Sequence, residues 1–168
     1  MNRSDLYNVR AATIRDLDFI WAKDIAEHDD KTRWIAWRDE YIQGNRIGTC
    51  KTFVALYDNQ PIGQGTLLFS PECSAINGRT ELVNGVNIAN INALRIEKEH
   101  EGNGHISKLV RLMEEYAVKE GYERLTIGVE AKEARNLAIY LHWGYREFIK
   151  SEVEDGVLVL YYSKTINE

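Results

Sequence analysis

Residues Gly102 to Ser107 carry the chemistry most readily read from this sequence: two glycines around an asparagine, then the opening of a helix with Ser107 in its first turn. A helix start leaves backbone N–H groups without partners and carries the positive end of the helix dipole, so a phosphate fits there. Gly102 and Gly104 would let such a group approach the main chain, and Ser107 adds a hydroxyl. The same Gly-Asn-Gly also serves as a tight strand-to-helix connection with no ligand. His100 and His105 flank the turn, but two histidines without a third ligand make a poor metal pair. That leaves them a solvated or phosphate-adjacent role, and no metal is expected. His28-Asp29-Asp30 has the charge to attract a cation, or simply ends a helix.

The elements that position the glycine turn are legible from their periods. Ile91, Ala93, Leu94 and Ile96 form a β-compatible apolar run, ended by Glu97-Lys98-Glu99-His100-Glu101. After the turn, Ile106, Leu109, Val110, Met113, Tyr116 and Ala117 recur at spacings of three and four, one face of a helix that Glu120-Gly121 closes. Upstream, Leu6 to Ala12 reads as a strand, and Thr13 to Asp16 as a capping-box start to a helix with Leu17, Ile20, Trp21 and Ile25 on its buried stripe. A second helix runs from about Thr32 to Gln43, with Gly44 as its stop; Trp34, Trp37 and Tyr41 on it form a core face or a substrate lip. Thr52 to Tyr57 and Ile62 to Phe69 make a hairpin around Asp58-Asn59-Gln60-Pro61, and Pro71 to Gly85 reads as a loop or irregular hairpin.

Downstream, Leu125 to Val129 is a strand in which Gly128 marks a bulge or a close ligand approach. Ala131 to Trp143 is helical, with Ala134, Leu137, Ala138 and Leu141 on one side, and Tyr145 to Val153 pairs with Val157 to Lys164 through Glu154-Asp155-Gly156. The order strand, helix, helix, three strands, helix, strand, helix, two strands predicts an α/β (α+β) fold: a mixed, mostly antiparallel central sheet with helices on both faces. The strands before and after the glycine-turn helix are joined by a crossover, so they should lie parallel and adjacent. Were their ends splayed, an extended ligand could enter between them.

A chain of 168 residues, 44% hydrophobic and 28% charged, fits one soluble domain spanning residues 1–168. A net charge of −5 argues against nucleic acid, which needs a basic surface. Cys50 and Cys73 share no metal or redox spacing and read as reduced thiols. Met1-Asn2-Arg3-Ser4-Asp5 leads into no apolar signal region, and no run reaches the length of a membrane span. A cytoplasmic protein with no membrane partner is the expectation.

Taken together, Leu94 to Leu109 resembles the acetyl-CoA-binding motif of the GNAT superfamily of N-acetyltransferases, in which a strand leads to R/Q-x-x-G-x-G/A and a helix. Asn136, Ile139-Tyr140 and Trp143-Gly144-Tyr145 are similar to the family's later helix exit, and Val9 to Thr13 with Asp16-Leu17 to its opening. Glu101 stands where the family has Arg or Gln, and Ile106 where it has a small residue. The resemblance implies a GNAT-like sheet with a splayed parallel strand pair and acetyl-CoA as cosubstrate. Cofactor contacts would come from Leu94, Arg95, Ile96, Gly102, Asn103, Gly104, His105, Ile106, Ser107 and Asn136. The pantetheine arm would pair with the main chain of Leu94 to Ile96, and the diphosphate would rest on N–H groups from Gly102 to Ser107.

The chemistry so implied is direct transfer of an acetyl group to a primary amine, with a small-molecule acceptor expected. A strand N–H near Leu94 or Arg95 would stabilise the oxyanion, and Tyr140 would donate a proton to the departing thiolate. Asn90 stands where some members carry a basic Glu; the carboxylates of Glu81, Glu97 and Glu130 read as solvated surface charges. Two rival readings stay open: a catalytically silent CoA-binding or protein-interaction module, and an enzyme for protein or peptide amines. A homodimer is one option that the sequence leaves open.

Overall fold

In a computed structural model of the chain residues 3–167 are described; Met1, Asn2 and Glu168, the ends of the expected 1–168 domain, lie outside the described residues. Among the described residues the elements follow as β1 (Tyr7–Ala11), α1 (Ile14–Glu27), α2 (Lys31–Ile47), β2 (Cys50–Tyr57), β3 (Gln60–Leu68) and β4 (Ile88–Ile96). Then come α3 (His105–Lys119), β5 (Arg124–Glu130), α4 (Ala134–His142), β6 (Glu147–Glu154) and β7 (Val157–Thr165). This is the expected order. The strands form one seven-stranded sheet, ordered β1-β2-β3-β4-β5-β7-β6. It is mostly antiparallel, and β4 and β5 are its parallel pair, as the crossover requires. Their register runs from Ile88↔Arg124 to Ile91↔Ile127, although β4 continues to Ile96 and β5 to Glu130. By contacts the chain divides into two compact units: residues up to Leu67 with Ala93–Met113, and Leu68–Asn92 with the residues from Glu114 onward.

In the first unit, α1 begins as its sequence demands. The Thr13 hydroxyl accepts from the Asp16 N–H at 3.1 Å, and the Asp16 carboxylate accepts from the Thr13 N–H at 2.8 Å, which closes the capping box. Leu17 and Trp21 are buried, and Trp21 lies against Trp34 and Tyr41. Gly44 does not stop α2; the helix runs to Ile47, and Gly48 caps it at φ +92° by donating to the Gly44 carbonyl. Gly44 serves packing, because a Cβ there would stand 2.6 Å from Cys50 Sγ. The β2–β3 hairpin turns on Asp58 and Asn59, both at positive φ, and Pro61 lies within β3.

In the second unit, residues 71–85 form a run of turns with Ile76, Leu82 and Val83 fully buried, so the segment is irregular but packed. Gly128 is not a bulge: the β5–β7 register is unbroken through it, and its missing side chain leaves room for the Tyr161 ring, from which a Cβ would stand 2.8 Å. Helix α4 starts at Ala134, since Ala131 to Glu133 form a turn, and none of its residues is buried. Leu137, Ile139, Tyr140 and Leu141 are half-buried, while Ala134 and Ala138 of the expected stripe are exposed. Tyr145 stands before β6; it is fully buried and its hydroxyl donates to Glu114 at 2.8 Å. The last hairpin turns on Asp155 and Gly156, both at positive φ.

Candidate active site

The chain folds into a site of the first unit through a backbone turn inside a strand. Ala93 adopts φ +53°, a left-handed conformation that costs a non-glycine residue roughly 1–2 kcal/mol. It lies two residues beyond Ile91, where the β4–β5 register ends, and interrupts the extended backbone just ahead of Leu94, Arg95 and Ile96. Such strain persists only where the surrounding fold over-determines it. Beside this stretch, β3 supplies Gly63, where a Cβ would stand 2.8 Å from the Arg95 carbonyl oxygen. The half-buried side chains of Leu94 to Ile96 are therefore held on main chain that comes unusually close to its neighbour.

Beyond Ile96 the chain passes through a short helical turn at Lys98–His100 and reaches Gly102 and Gly104, both at φ +80° and exposed. The Lys108 N–H donates to the Gly104 carbonyl at 3.1 Å. That bond opens α3, so the N–H groups of His105, Ile106 and Ser107 have no partner within the helix. Asn103 is exposed and its amide donates to the Glu101 carbonyl at 3.2 Å. Glu101 itself is exposed, so its carboxylate is free to face water rather than a neighbouring anion. Ile106 and Ser107 are half-buried.

Neither histidine of this turn is solvated. His100 and His105 are buried against Tyr7: the Tyr7 hydroxyl is 2.8 Å from His100 Nδ1, and the His105 ring stacks on Tyr7 at 4.0 Å between centroids. Tyr57 adds a further ring contact to His100. Burial, reinforced by Lys108 and His100, holds His105 below the ordinary imidazole value and so favours its neutral form. The turn thus rests on an aromatic layer, and His105 offers a ligand its backbone N–H rather than its ring. Glu97, Glu99 and His100 place ligand atoms within 4.8 Å of one another, but Glu97 is ion-paired with Lys23 and His100 is engaged by Tyr7.

Next to the interrupted strand, α1, β3 and the end of β4 enclose a cleft of about 350 Å³. On its wall the Arg95 guanidinium is ion-paired with Asp24. The hydrogen-bond network sets the Gln64 amide with its oxygen toward Arg95, accepting from Nη2 at 2.7 Å and Nε at 3.1 Å. Burial pushes the Asp24 carboxyl up, against the opposing pull of Arg95. His28 ends α1; its Nδ1 donates to the Asp24 carbonyl at 2.6 Å and its ring stacks on Trp34 at 3.7 Å. Asp30 caps α2 by accepting from the Arg33 N–H at 3.2 Å. Trp34 therefore borders this wall through His28, whereas Tyr41 is core.

Sequence reasoning placed Leu94, Arg95, Ile96 and residues 102–107 together, and all of them fall in the first unit. Asn136 and Tyr140 belong to the second. Asn136 is exposed on α4, and Tyr140 is half-buried with its ring 5.8 Å from that of Trp143. Burial raises the Tyr140 phenol above its ordinary value. Asn90 is buried, and its amide donates to Thr126 Oγ1 at 2.9 Å. Glu81, Glu97 and Glu130 are ion-paired with Lys150, Lys23 and Lys132. Sequence reasoning missed Ala93, Asp24 and Gln64. Two of these left a signal: Asp24 continues the Leu17 and Trp21 stripe one turn on, and Gln64 interrupts an apolar strand.

The sequence profile of the acetyltransferase (GNAT) family matches residues 9–145. No curated protein sequence matches. Among solved structures, yncA from Salmonella typhimurium with its cofactor acetyl-CoA is similar at TM-score 0.69 and 13% identity, covering 97% of this chain and 95% of that one. The ribosomal α-N-protein acetyltransferase RimL in complex with coenzyme A is similar at TM-score 0.69 and 16% identity, covering 99% and 97%. A chimera of the spermidine N-acetyltransferase SpeG from Vibrio cholerae and hSSAT is similar at TM-score 0.70 and 17% identity, covering 95% of each. At these identities the likeness is one of fold.

Proposed function

The chain belongs to the acetyltransferase (GNAT) family, and from that premise we propose that it moves the acetyl group of acetyl-CoA to a primary amine of a small molecule, in a cytoplasmic setting. One observation carries the reading: the left-handed turn at Gly102 and Gly104 opens α3 with three N–H groups that no helix carbonyl takes. Those donors suit the diphosphate of CoA. The peptide groups of Leu94 to Ile96, just beyond the interruption at Ala93, suit an extended pantetheine arm.

In the proposed reaction the amine nitrogen, in its neutral form, attacks the thioester carbonyl carbon. The carbonyl oxygen gains the negative charge, and an N–H near Leu94 or Arg95 stabilises it. Collapse breaks the C–S bond, and the departing sulfur takes a proton from the Tyr140 hydroxyl. The proton that the amine loses passes to water, since Asn90 cannot accept it and Glu81, Glu97 and Glu130 are held by lysines. Tyr140 then regains its proton from solvent.

Those lysine-held carboxylates equally favour a silent CoA-binding module, so the deciding experiment is thiol release from acetyl-CoA with a panel of amines. Turnover that depends on the amine supports the enzyme. CoA binding without any amine-dependent thiol release would contradict it. Acetylation of a peptide amine in preference to every free amine would move the acceptor to the protein class.

A further inference from the structure

The cleft of the first unit is built around a guanidinium that is immobilised along one edge only. Gln64 is 2% exposed, and its oxygen accepts hydrogen bonds from both Nε and Nη2 of Arg95. The Asp24 carboxylate, 12% exposed, accepts from the other Nη2 N–H. Three of the five N–H donors of Arg95 are thereby committed. The two on Nη1 have no hydrogen-bond partner among the described residues, and the side chain, which lines the cleft, is 38% exposed. A long side chain so held cannot swing out of the way of a ligand, so its free edge becomes a feature of the site.

We propose that this cleft receives the acceptor of the acetyltransferase reaction, and that the acceptor carries a carboxylate beside its amine, as a free amino acid does. The inference rests on the acetyltransferase reading above, since Arg95 and Ile96 belong both to the cleft and to the strand assigned to the cofactor. The carboxylate docks on Nη1 of Arg95. The ammonium is drawn to the carboxylates of Asp24 and Glu27 on the α1 wall. Charge sets the selectivity. A polyamine has no carboxylate for the fixed guanidinium and would set its second ammonium beside it, on a wall whose other charges, Lys23, Lys98, Asp24, Glu27, Glu97 and Glu99, are of both signs. An amine lacking the carboxylate leaves Nη1 unmatched, and a site built to bind a polar group discriminates strongly against the analogue without it. A peptide N-terminus presents an amide where the free amino acid presents the carboxylate, so it falls in the rejected class as well.

The test uses the whole protein, the free amino acids, their carboxamides and spermidine. Calorimetry first measures CoA binding, and then binding of each amine to the CoA-saturated protein; thiol release from acetyl-CoA gives kcat/KM. The expected result is that at least one amino acid binds and exceeds its carboxamide about tenfold or more in kcat/KM, the low end for an unmade charge-assisted hydrogen bond. Arg95→Gln, checked for folding by circular dichroism, abolishes that preference, and Arg95→Lys restores part of it without the planar fork. If CoA binds but carboxamides or spermidine match the amino acids, the proposal is overturned while the acetyltransferase reading stands. The proposal is likewise overturned if CoA binds and no amine of the panel binds at millimolar concentration. If CoA itself does not bind, the acetyltransferase reading falls and takes this inference with it.

Discussion

Tyr140 is half-buried on α4, and burial raises its phenol above the ordinary value of 10.0. A proton donor must be protonated to act, so a raised value keeps Tyr140 loaded throughout the neutral and mildly alkaline range. Loss of activity through its ionisation therefore falls above pH 10. Tyr140→Phe should lower kcat by about 100-fold, the modest end of general-acid catalysis, with little change in CoA affinity. Steady-state kinetics across pH 6 to 10 checks both statements, and a variant with unchanged kcat would return Tyr140 to a packing role. At the same scale, Ala93 and Arg95 show what spacing hides. A left-handed alanine has no compositional mark, and the partners of Arg95 lie 71 and 31 residues earlier in the chain at Asp24 and Gln64.

At the scale of elements, the approach of β3 to the end of β4 depends on Gly63. A Cβ there would stand 2.8 Å from the Arg95 carbonyl and 3.2 Å from Ile96 Cα, both backbone atoms that cannot rotate away. Gly63→Val should cost about 1–3 kcal/mol by overpacking and shift the peptide groups of Arg95 and Ile96. Chemical denaturation should register the loss and calorimetry a weaker CoA affinity; an affinity equal to that of the parent would detach this strand from the cofactor. Local rules made most elements legible in advance. The Thr13–Asp16 capping box, the Asp58-Asn59 turn and the α3 stripe of Leu109, Val110, Met113 and Ala117 are decided within a few residues. The errors arose where tertiary packing overrode the local signal. Gly44 looked like a helix stop but makes room for Cys50, and His100 and His105, read as solvated or phosphate-adjacent, are buried against Tyr7, nearly a hundred residues away, His105 stacked on its ring and His100 edge-on to it.

For the molecule as a whole, among the described residues no helix is long and apolar enough to cross a membrane. The expectation of a single domain over residues 1–168 predicts one cooperative thermal transition, coincident by far- and near-ultraviolet circular dichroism. Two resolved transitions would separate the two compact units. CoA at about 100 times its dissociation constant should add about 2.7 kcal/mol and raise the midpoint by about 5–10 °C. The proposed cofactor site depends most directly on the glycine turn. The measurement that tests it is calorimetric titration of acetyl-CoA into the protein and into Gly104→Val, which forces a β-branched residue to φ +80°. Binding in the micromolar range at about one per chain is expected, weakened about tenfold or more in a variant that circular dichroism shows to be folded. Absence of binding at millimolar acetyl-CoA, or equal affinity in the variant, would contradict the assignment of residues 102–107 to the cofactor.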